Sequence, residues 1–229
     1  MTLTAFQMTD SRLRLLAMAT LTLTVSGAAM ALARQPIPQV PAAAASAPLT
    51  PPPPVPQHVA LKPLADLVGD VESKSAGGYN AANNGYAMGL GSHGLSKHFG
   101  TDCKNISVGQ IIKAQQRGWL YAVGRYQMIP STLAFAVKHS PGITNYTFFT
   151  PETQDTLFLA LLKHKRPAVW AYLNGKGSRD RALHALALEW AGLPGHHGYT
   201  LYPGNNASHT SVIRVRQVLE QTRQNFMDI

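Results

Sequence analysis

Residues 64–80 decide the fold of this chain, and they read LADLVGDVESKSAGGYN. The apolar residues of this stretch recur with the i, i+3, i+4, i+7 spacing of one helix face. They are Leu64, Leu67, Val68 and Val71. The pattern predicts a short amphipathic helix that ends near Gly77 and Gly78, because glycine readily closes a helix in the left-handed conformation. A helix with such a stripe needs packing partners, which the rest of the chain has to supply.

Glu72 is the residue of this stretch with the most distinctive chemistry. It follows Val68 by one helical turn, so it lies in line with the apolar stripe at the C-terminal end of the helix. Apolar neighbours and the negative end of the helix dipole both disfavour a charged carboxylate, and both raise its pKa. A raised pKa suits a general acid that works near neutral pH. The competing interpretation is an ordinary helix-end glutamate.

The chain has only three other glutamates, and each has a simpler interpretation. Glu152 lies in the first turn of a predicted helix, where a carboxylate meets the positive end of the helix dipole. Glu189 precedes Trp190 near the end of an apolar helix, which fits a buried, hydrogen-bonded structural acid. Glu220 lies on a helix rich in arginine and glutamine, which fits a solvated helix face.

Five further helix starts are predicted downstream of the opening stretch. Ser107 and Gln110 have the spacing of a capping box, and prolines 130 and 151 suit the first turn of a helix. The predicted starts are Ser107, Pro130, Thr150, Ser178 and about Ser208. Chain breakers set the ends: Pro167 is expected to end the helix from Thr150, and Gly192 the helix from Ser178.

The stretch from Gly77 to Thr101 contains seven glycines, and it predicts loops or a short sheet, not a helix. The predicted fold class is therefore mainly α, with a helical domain and a small glycine-rich sheet or loop region.

The N-terminus is typical of a secretory signal. Arg12 and Arg14 precede an uncharged apolar run from Leu15 to Ala29, and small residues up to Ala33 suit a cleavage site. We expect a cleaved signal peptide at residues 1–33, with an uncleaved membrane anchor as the alternative. In either case we expect the protein to be exported to the periplasm or the cell envelope, with membrane contact only through an uncleaved signal.

Residues 34–62 are predicted to form a linker, and residues 63–229 the globular domain. Ten of the sixteen prolines lie between Gln35 and Pro63, mixed mainly with alanine. Such a segment lacks the backbone donors and the apolar bulk of a core, so we expect an extended tether of about 3 Å per residue. A ligand for a proline-recognition domain is the alternative interpretation.

Charge and cysteine content restrict the partners and cofactors. The net charge of +9 favours an anionic partner, and the dispersed basic residues of an exported chain favour an envelope polymer over nucleic acid. The single cysteine, Cys103, excludes an intramolecular disulfide and a multi-cysteine zinc site. His196 and His197 lack an accompanying metal-binding motif, so no metal and no cofactor are predicted.

Five short blocks follow one another in a fixed order along the chain. They are ES at residues 72–73, GYN at 78–80, GRYQMIP at 124–130, FTPETQD at 149–155 and WAGLPG at 190–195. This ordered set resembles the phage lambda endolysin type of lysozyme-like lytic transglycosylase. The chain departs from that type in its N-terminal signal and tether and in a longer insertion between Gly85 and Ala122.

The resemblance implies an α+β lysozyme-like fold, with a helical domain around a cleft that binds peptidoglycan glycan strands. By this resemblance Glu72 matches the catalytic acid. Substrate-binding roles are expected for residues of the matching blocks and of the polar segment after the first helix. These residues are Ser73, Tyr79, Asn80, Arg125, Tyr126, Gln127 and Trp190.

The number of carboxylates in the cleft distinguishes hydrolysis of the glycosidic bond from the transglycosylase reaction. Two-carboxylate hydrolysis needs a second acid about 5 to 9.5 Å from the first. Asp70 and Asp66 share the predicted helix with Glu72, but at about 100° per residue they lie roughly 200° and 120° away around its axis. Asp102 is the remaining candidate for a second carboxylate. Without one, a single glutamate acts as acid and then as base.

The sequence therefore predicts an exported peptidoglycan lytic transglycosylase that forms 1,6-anhydroMurNAc ends. A hydrolytic muramidase that uses Glu72 with Asp102 is one alternative, and a non-catalytic glycan-binding module of the cell envelope is another. Wall opening for a secretion or conjugation machinery, phage-type lysis and wall turnover all fit this activity, and the predicted tether suits the first of them best, because it limits where the wall is cut.

Overall fold

A computed structural model describes residues 56–89, 91, 94–202, 204 and 207–228. The predicted signal peptide at residues 1–33 and the linker residues 34–55 lie outside the described residues, so both stay predictions. Within the described part of the chain, no helix combines the length and the apolar character that a membrane crossing requires.

The described residues form eight α-helices and one small sheet, which confirms the mainly α fold class with a minor β component. The helices are α1 (Gln57–Glu72), α2 (Gly94–Phe99), α3 (Val108–Gln116), α4 (Pro130–Lys138), α5 (Pro151–Ala160), α6 (Pro167–Leu173), α7 (Arg179–Ala187) and α8 (Val212–Met227). The strands are β1 (Ala82–Asn84) and β2 (Leu120–Val123). They pair antiparallel, with Ala82 opposite Val123.

The first helix begins earlier than the sequence predicts. The extended conformation expected up to residue 62 was wrong for residues 57–62, which belong to α1. Pro63 lies inside the helix and cannot donate a backbone hydrogen bond. Ala60 and Leu61 are nevertheless buried on the face of α1 that packs mainly against α8, and Asn225 of α8 donates a side-chain hydrogen bond to the Ala60 carbonyl. This burial compensates for the bond that proline removes.

The predicted helix starts at Ser107, Pro130, Thr150 and Ser178 are confirmed. Ser107 and Gln110 form both hydrogen bonds of a capping box at α3. Pro130 and Pro151 occupy the first turns of α4 and α5, and the Ser178 side chain caps α7. The last helix is capped by Ser211, three residues beyond the expected position.

Two local expectations were wrong, and the one for Pro167 was incomplete. The glycine-rich stretch contains the short helix α2, in which Leu95 is fully buried. Pro167 starts α6, and a turn of π-helix at Leu161–Lys165 joins it to α5. Trp190 lies three residues beyond the end of α7, because α7 ends at Ala187. Burial of Leu95 stabilises α2 despite the glycines around it, whereas α7 ends before the glycine that was expected to terminate it.

A buried amide organises the turn at residues 124–127. The Gln154 side chain of α5 is fully buried, and its Oε1 accepts a hydrogen bond of 2.9 Å from the Arg125 N–H. Its Nε2 donates to the carbonyls of Tyr79 at 3.0 Å and Phe149 at 2.9 Å. Gly124 has φ of +73°, and a Cβ there would lie only 2.3 Å from Gln154 Oε1. The turn, Tyr79 in the segment after α1, and Phe149 just before α5 are thus joined by one side chain.

Replacement of Gln154 by alanine should strongly destabilise the fold. The substitution leaves an N–H and two carbonyls without their buried partner, so we expect the free energy of unfolding to fall by about 2 to 4 kcal/mol. Chemical denaturation measures this loss. Gln217→Ala, at an exposed position of α8, is the control and should change stability by less than about 0.5 kcal/mol. Equal stability of the two variants would contradict the role given to Gln154.

Candidate active site

A cleft of about 440 Å³ opens at the C-terminal end of α1. The end of α1, the two-stranded sheet, the turn before α4 and two later loop segments form its walls. The residues that line it are Val71, Glu72, Asn83, Tyr121, Ala122, Gln127, Ile129, Glu189, Trp190, Ala191, Gly192, Tyr202, Ala207 and His209. The cleft therefore collects residues that are far apart in the sequence around Glu72.

Glu72 is the last residue of α1, and its carboxylate is held at the cleft wall. Its Oε1 accepts a hydrogen bond of 2.9 Å from the Gly192 N–H. Burial raises the pKa of Glu72 to about 6, although the hydrogen bond from Gly192 acts in the opposite direction. The direction of this pKa shift agrees with the one expected from the sequence, with burial as its cause. The carboxyl group can be protonated at mildly acidic to neutral pH and can also hold a negative charge against a backbone donor.

Gly192 allows this approach because it has no side chain. A Cβ at this position would lie 2.9 Å from Glu72 Oε1 and 3.2 Å from His209 Cδ2. The Glu72 carboxylate and the His209 imidazole therefore both lie next to the position that a Cβ of residue 192 would occupy. The Gly192 carbonyl also accepts a hydrogen bond of 2.9 Å from the His209 N–H, which fixes the following loop segment to the cleft.

Gln127 is the residue of the 124–127 turn that reaches the cleft. Its φ of 46° is the only positive value among the described non-glycine residues. Two hydrogen bonds between Val123 and Met128 close the turn, and Gln127 Nε2 donates to the Gly124 carbonyl at 2.9 Å. A left-handed backbone costs free energy in a residue with a side chain, so the surrounding contacts must impose it. This strained conformation brings Gln127 to the wall of the Glu72 cleft.

The other two side chains of that turn belong to a separate polar network. Arg125 donates to the Tyr79 hydroxyl at 2.8 Å and to Asp66 at 2.7 Å. The hydroxyls of Tyr79 and Tyr126 both donate to Asp155, at 2.9 and 2.6 Å. Burial and the Asp155 carboxylate raise the pKa of Tyr126 far above its usual range.

None of these side chains lines the Glu72 cleft, contrary to the expected substrate-binding roles of Tyr79, Arg125 and Tyr126. Tyr126 is only 1% exposed, which leaves its ring no surface for a glycan. Successive residues of a tight turn point in different directions, so a shared sequence block does not put its side chains in one cavity.

Ser73, Asn80 and Trp190 use their polar atoms within the protein. The buried Ser73 hydroxyl donates to the Arg125 carbonyl at 2.8 Å, and Asn80 Oδ1 accepts from the Cys103 N–H at 2.7 Å. Neither residue lines the cleft. Trp190 does line it, but the residue is 2% exposed and its indole N–H donates to the Tyr126 carbonyl. Its ring supports the wall more than it presents a surface.

The second carboxylate expected at Asp102 is not in the cleft. Asp102 is exposed, and its Oδ1 accepts a hydrogen bond of 2.9 Å from the Lys104 N–H at the start of a short 3₁₀ turn. Glu189 lines the cleft, but Lys165 and Arg166 each hold its carboxylate at 2.7 Å. The structural role predicted for Glu189 is confirmed. Among the described residues, Glu72 is therefore the one cleft carboxylate without a cationic partner.

Four polar residues of the cleft were missed by sequence reasoning. They are Asn83, Tyr121, Tyr202 and His209. Tyr121 has a local signal, because exposed Trp119 and Tyr121 alternate with buried neighbours as in a half-buried strand. The others are brought to Glu72 by tertiary packing alone. No group of three or more His, Cys, Asp or Glu side chains within the described ranges could hold a metal ion.

The helical body, the small antiparallel sheet and a cleft carboxyl group without a cationic partner at the end of the first helix are consistent with a lysozyme-like α+β protein. A family model described as Endolysin matches residues 65–216, which is more than half of the chain, and the chain therefore belongs to the endolysin family. The matched region includes Glu72, Gln127, Gly192 and His209. No curated protein and no solved structure matches the chain significantly. Membership in this family implies an enzyme that degrades peptidoglycan.

A methyl group at position 192 should impair the site and leave the fold intact. Gly192→Ala places a Cβ against the Glu72 carboxylate, which must then move away from the Gly192 N–H. A misplacement of about 1 Å can cost about 100-fold, so we expect kcat on peptidoglycan to fall by one to two orders of magnitude. The unfolding midpoint of the same variant serves as the control for folding. Full activity with an unchanged midpoint would show that the contact is not needed.

The raised pKa of Glu72 should also appear in the pH dependence of stability. The folded pKa of about 6 exceeds the reference value of 4.5, so the folded state binds the proton more tightly than the unfolded chain does. This stabilisation is fully present below about pH 4.5 and is lost as the pH rises through 6. Relative to Glu72→Gln, the wild type should lose about 2 kcal/mol between pH 4 and pH 7. Denaturation of both proteins across this range measures it, and parallel curves would contradict the shift.

Proposed function

We propose that this chain is an exported peptidoglycan lytic transglycosylase that cleaves the MurNAc to GlcNAc β-1,4 bond and leaves 1,6-anhydroMurNAc ends. The observation that carries the proposal is the single uncompensated carboxyl group of the cleft, Glu72, whose pKa is raised to about 6. One such group can perform both proton transfers of this reaction, provided that it is neutral in the first step and charged in the second.

In the first step, protonated Glu72 gives its proton to the glycosidic oxygen. The bond between that oxygen and C1 of MurNAc breaks with its electron pair on the oxygen, and GlcNAc leaves with a 4-hydroxyl group. Positive charge develops at C1 and the ring oxygen of MurNAc, next to the newly formed carboxylate. The hydrogen bond from the Gly192 N–H stabilises that carboxylate until the second step.

In the second step, the Glu72 carboxylate takes the proton of the C6 hydroxyl of the same MurNAc. The O6 lone pair closes onto C1 and forms the anhydro bridge, which restores the neutral acid for the next cycle. No water molecule takes part in the reaction, so no base is required to activate one. The ion-paired Glu189 and the exposed Asp102 support this reaction over two-carboxylate hydrolysis, which needs a second acid about 5 to 9.5 Å away.

The setting of the reaction rests on the N-terminal sequence. A basic start, an apolar run and a proline-rich segment are typical of an exported, tethered protein, and the proposal places the enzyme in the periplasm or cell envelope. A tether near a secretion or conjugation machinery would confine wall opening to the place where the machinery assembles.

Product analysis tests the reaction. Purified sacculi treated with the protein should release muropeptides with 1,6-anhydroMurNAc ends, identified by their mass, which is lower by one water than that of reducing ends. Glu72→Gln should lower the rate by about 10²- to 10⁴-fold, because it removes the proton donor. Glu152→Gln, at an exposed glutamate of α5, is the matched control and should keep the wild-type rate.

The alternatives give different products. Reducing ends would contradict the transglycosylase and indicate a muramidase, and Asp102→Asn would then show whether Asp102 takes part. Intact sacculi with retained glycan binding would indicate a binding module. Full activity of Glu72→Gln would overturn the mechanism.

A further inference from the structure

A second groove adjoins the Glu72 cleft. It lies between α1 and α8 and has a volume of about 590 Å³. Val71 and His209 line both cavities, so the groove and the cleft adjoin at these two residues. The two helices run antiparallel along it: Thr210 and Asp70 lie at the cleft end, and Asn225 and Val59 at the far end.

The groove carries charges of both signs. At the cleft end, Asp70 is half-exposed and has only a loose contact of 3.6 Å with Lys74. Arg214 is exposed, and its guanidinium makes no hydrogen bond or ion pair with any described residue. Lys62 lies farther along and contacts Asp66 at 2.5 Å. An uncompensated cation and a weakly paired anion thus face the groove near the point where it meets the cleft.

The length of the groove suits a short peptide. From Asp70 to Lys62 the axis of α1 rises by about 12 Å. Four residues in an extended conformation span about 13 Å. The peptidoglycan stem peptide has this size, carries several carboxylates and a free amine when it is not cross-linked, and is attached to the same MurNAc that the proposed reaction cuts.

We propose that this groove binds the stem peptide of peptidoglycan, with Arg214 bound to a peptide carboxylate and Asp70 to the peptide amine. The inference rests on the proposed function, because that function places MurNAc beside Glu72. A glycan in the cleft then brings its peptide next to the groove, where Val71 and His209 line both cavities. The protein recognises peptide-bearing strands in preference to strands from which the peptides have been removed.

A binding experiment tests this without turnover. The full chain carrying Glu72→Gln is titrated with a disaccharide-tetrapeptide and with the same disaccharide lacking the peptide. The peptide should increase affinity about five- to tenfold, the scale of one or two exposed charge pairs. Arg214→Glu should abolish this gain. The variant should fold, since the Arg214 N–H already bonds to Ser211 Oγ and a glutamate there completes a capping box.

The matched control is Arg181→Glu. Arg181 is exposed and has the same position in α7, where its N–H bonds to Ser178 Oγ, and it lines neither cavity. This variant should keep the full gain from the peptide. Equal affinity for the two ligands, or a gain that survives Arg214→Glu, would overturn the inference. Sacculi left uncut by the wild type would defeat the proposed function, whereas the difference between the two ligands is measured without cleavage.

Discussion

The candidate site depends on one hydrogen bond, from the Gly192 N–H to the carboxylate of Glu72, two residues 120 positions apart. Burial destabilises the charged form of Glu72, and this hydrogen bond offsets part of that destabilisation. The balance leaves a carboxyl group that is stable in both protonation states near pH 6. Without the bond, burial would drive the pKa higher and the carboxylate would have no fixed direction.

The elements that carry this bond are held by interactions outside the cleft. On one side, α1 packs against α8 and α5, with Leu64 and Val68 fully buried. On the other, Glu189 is clamped by two cations three residues before Gly192, with 3% of its side chain exposed. The side chains of Lys165 and Arg166 are 26% and 21% exposed, so solvent ions screen these pairs less than they would a fully exposed pair. The clamp therefore holds the Gly192 segment in place.

How far the sequence predicts the site varies from residue to residue, for physical reasons. The apolar stripe of α1 predicts both the helix and the burial of Glu72, because both follow from a local periodicity. The roles of Arg125 and Tyr126 cannot be predicted in this way. The direction of these two side chains depends on the positive φ of Gln127 and on Asp155, which is brought close only by folding.

Other features of the site leave no local pattern in the sequence. His209 has no local signal, since it reaches the cleft through a bond to the Gly192 carbonyl. The helical state of residues 57–62 likewise depends on burial against α8, which no local pattern reports.

The absence of a side chain at position 192 also limits which substitutions this protein can accept during evolution. A catalytic side chain can be exchanged and later restored, but any side chain at this glycine displaces the acid at once. The pKa of Glu72 depends on its burial, so it can change through substitutions of other residues that line the cleft, such as Val71, Ile129 and His209. Gly192, which contributes only backbone atoms, thus restricts the cleft alongside the catalytic acid itself.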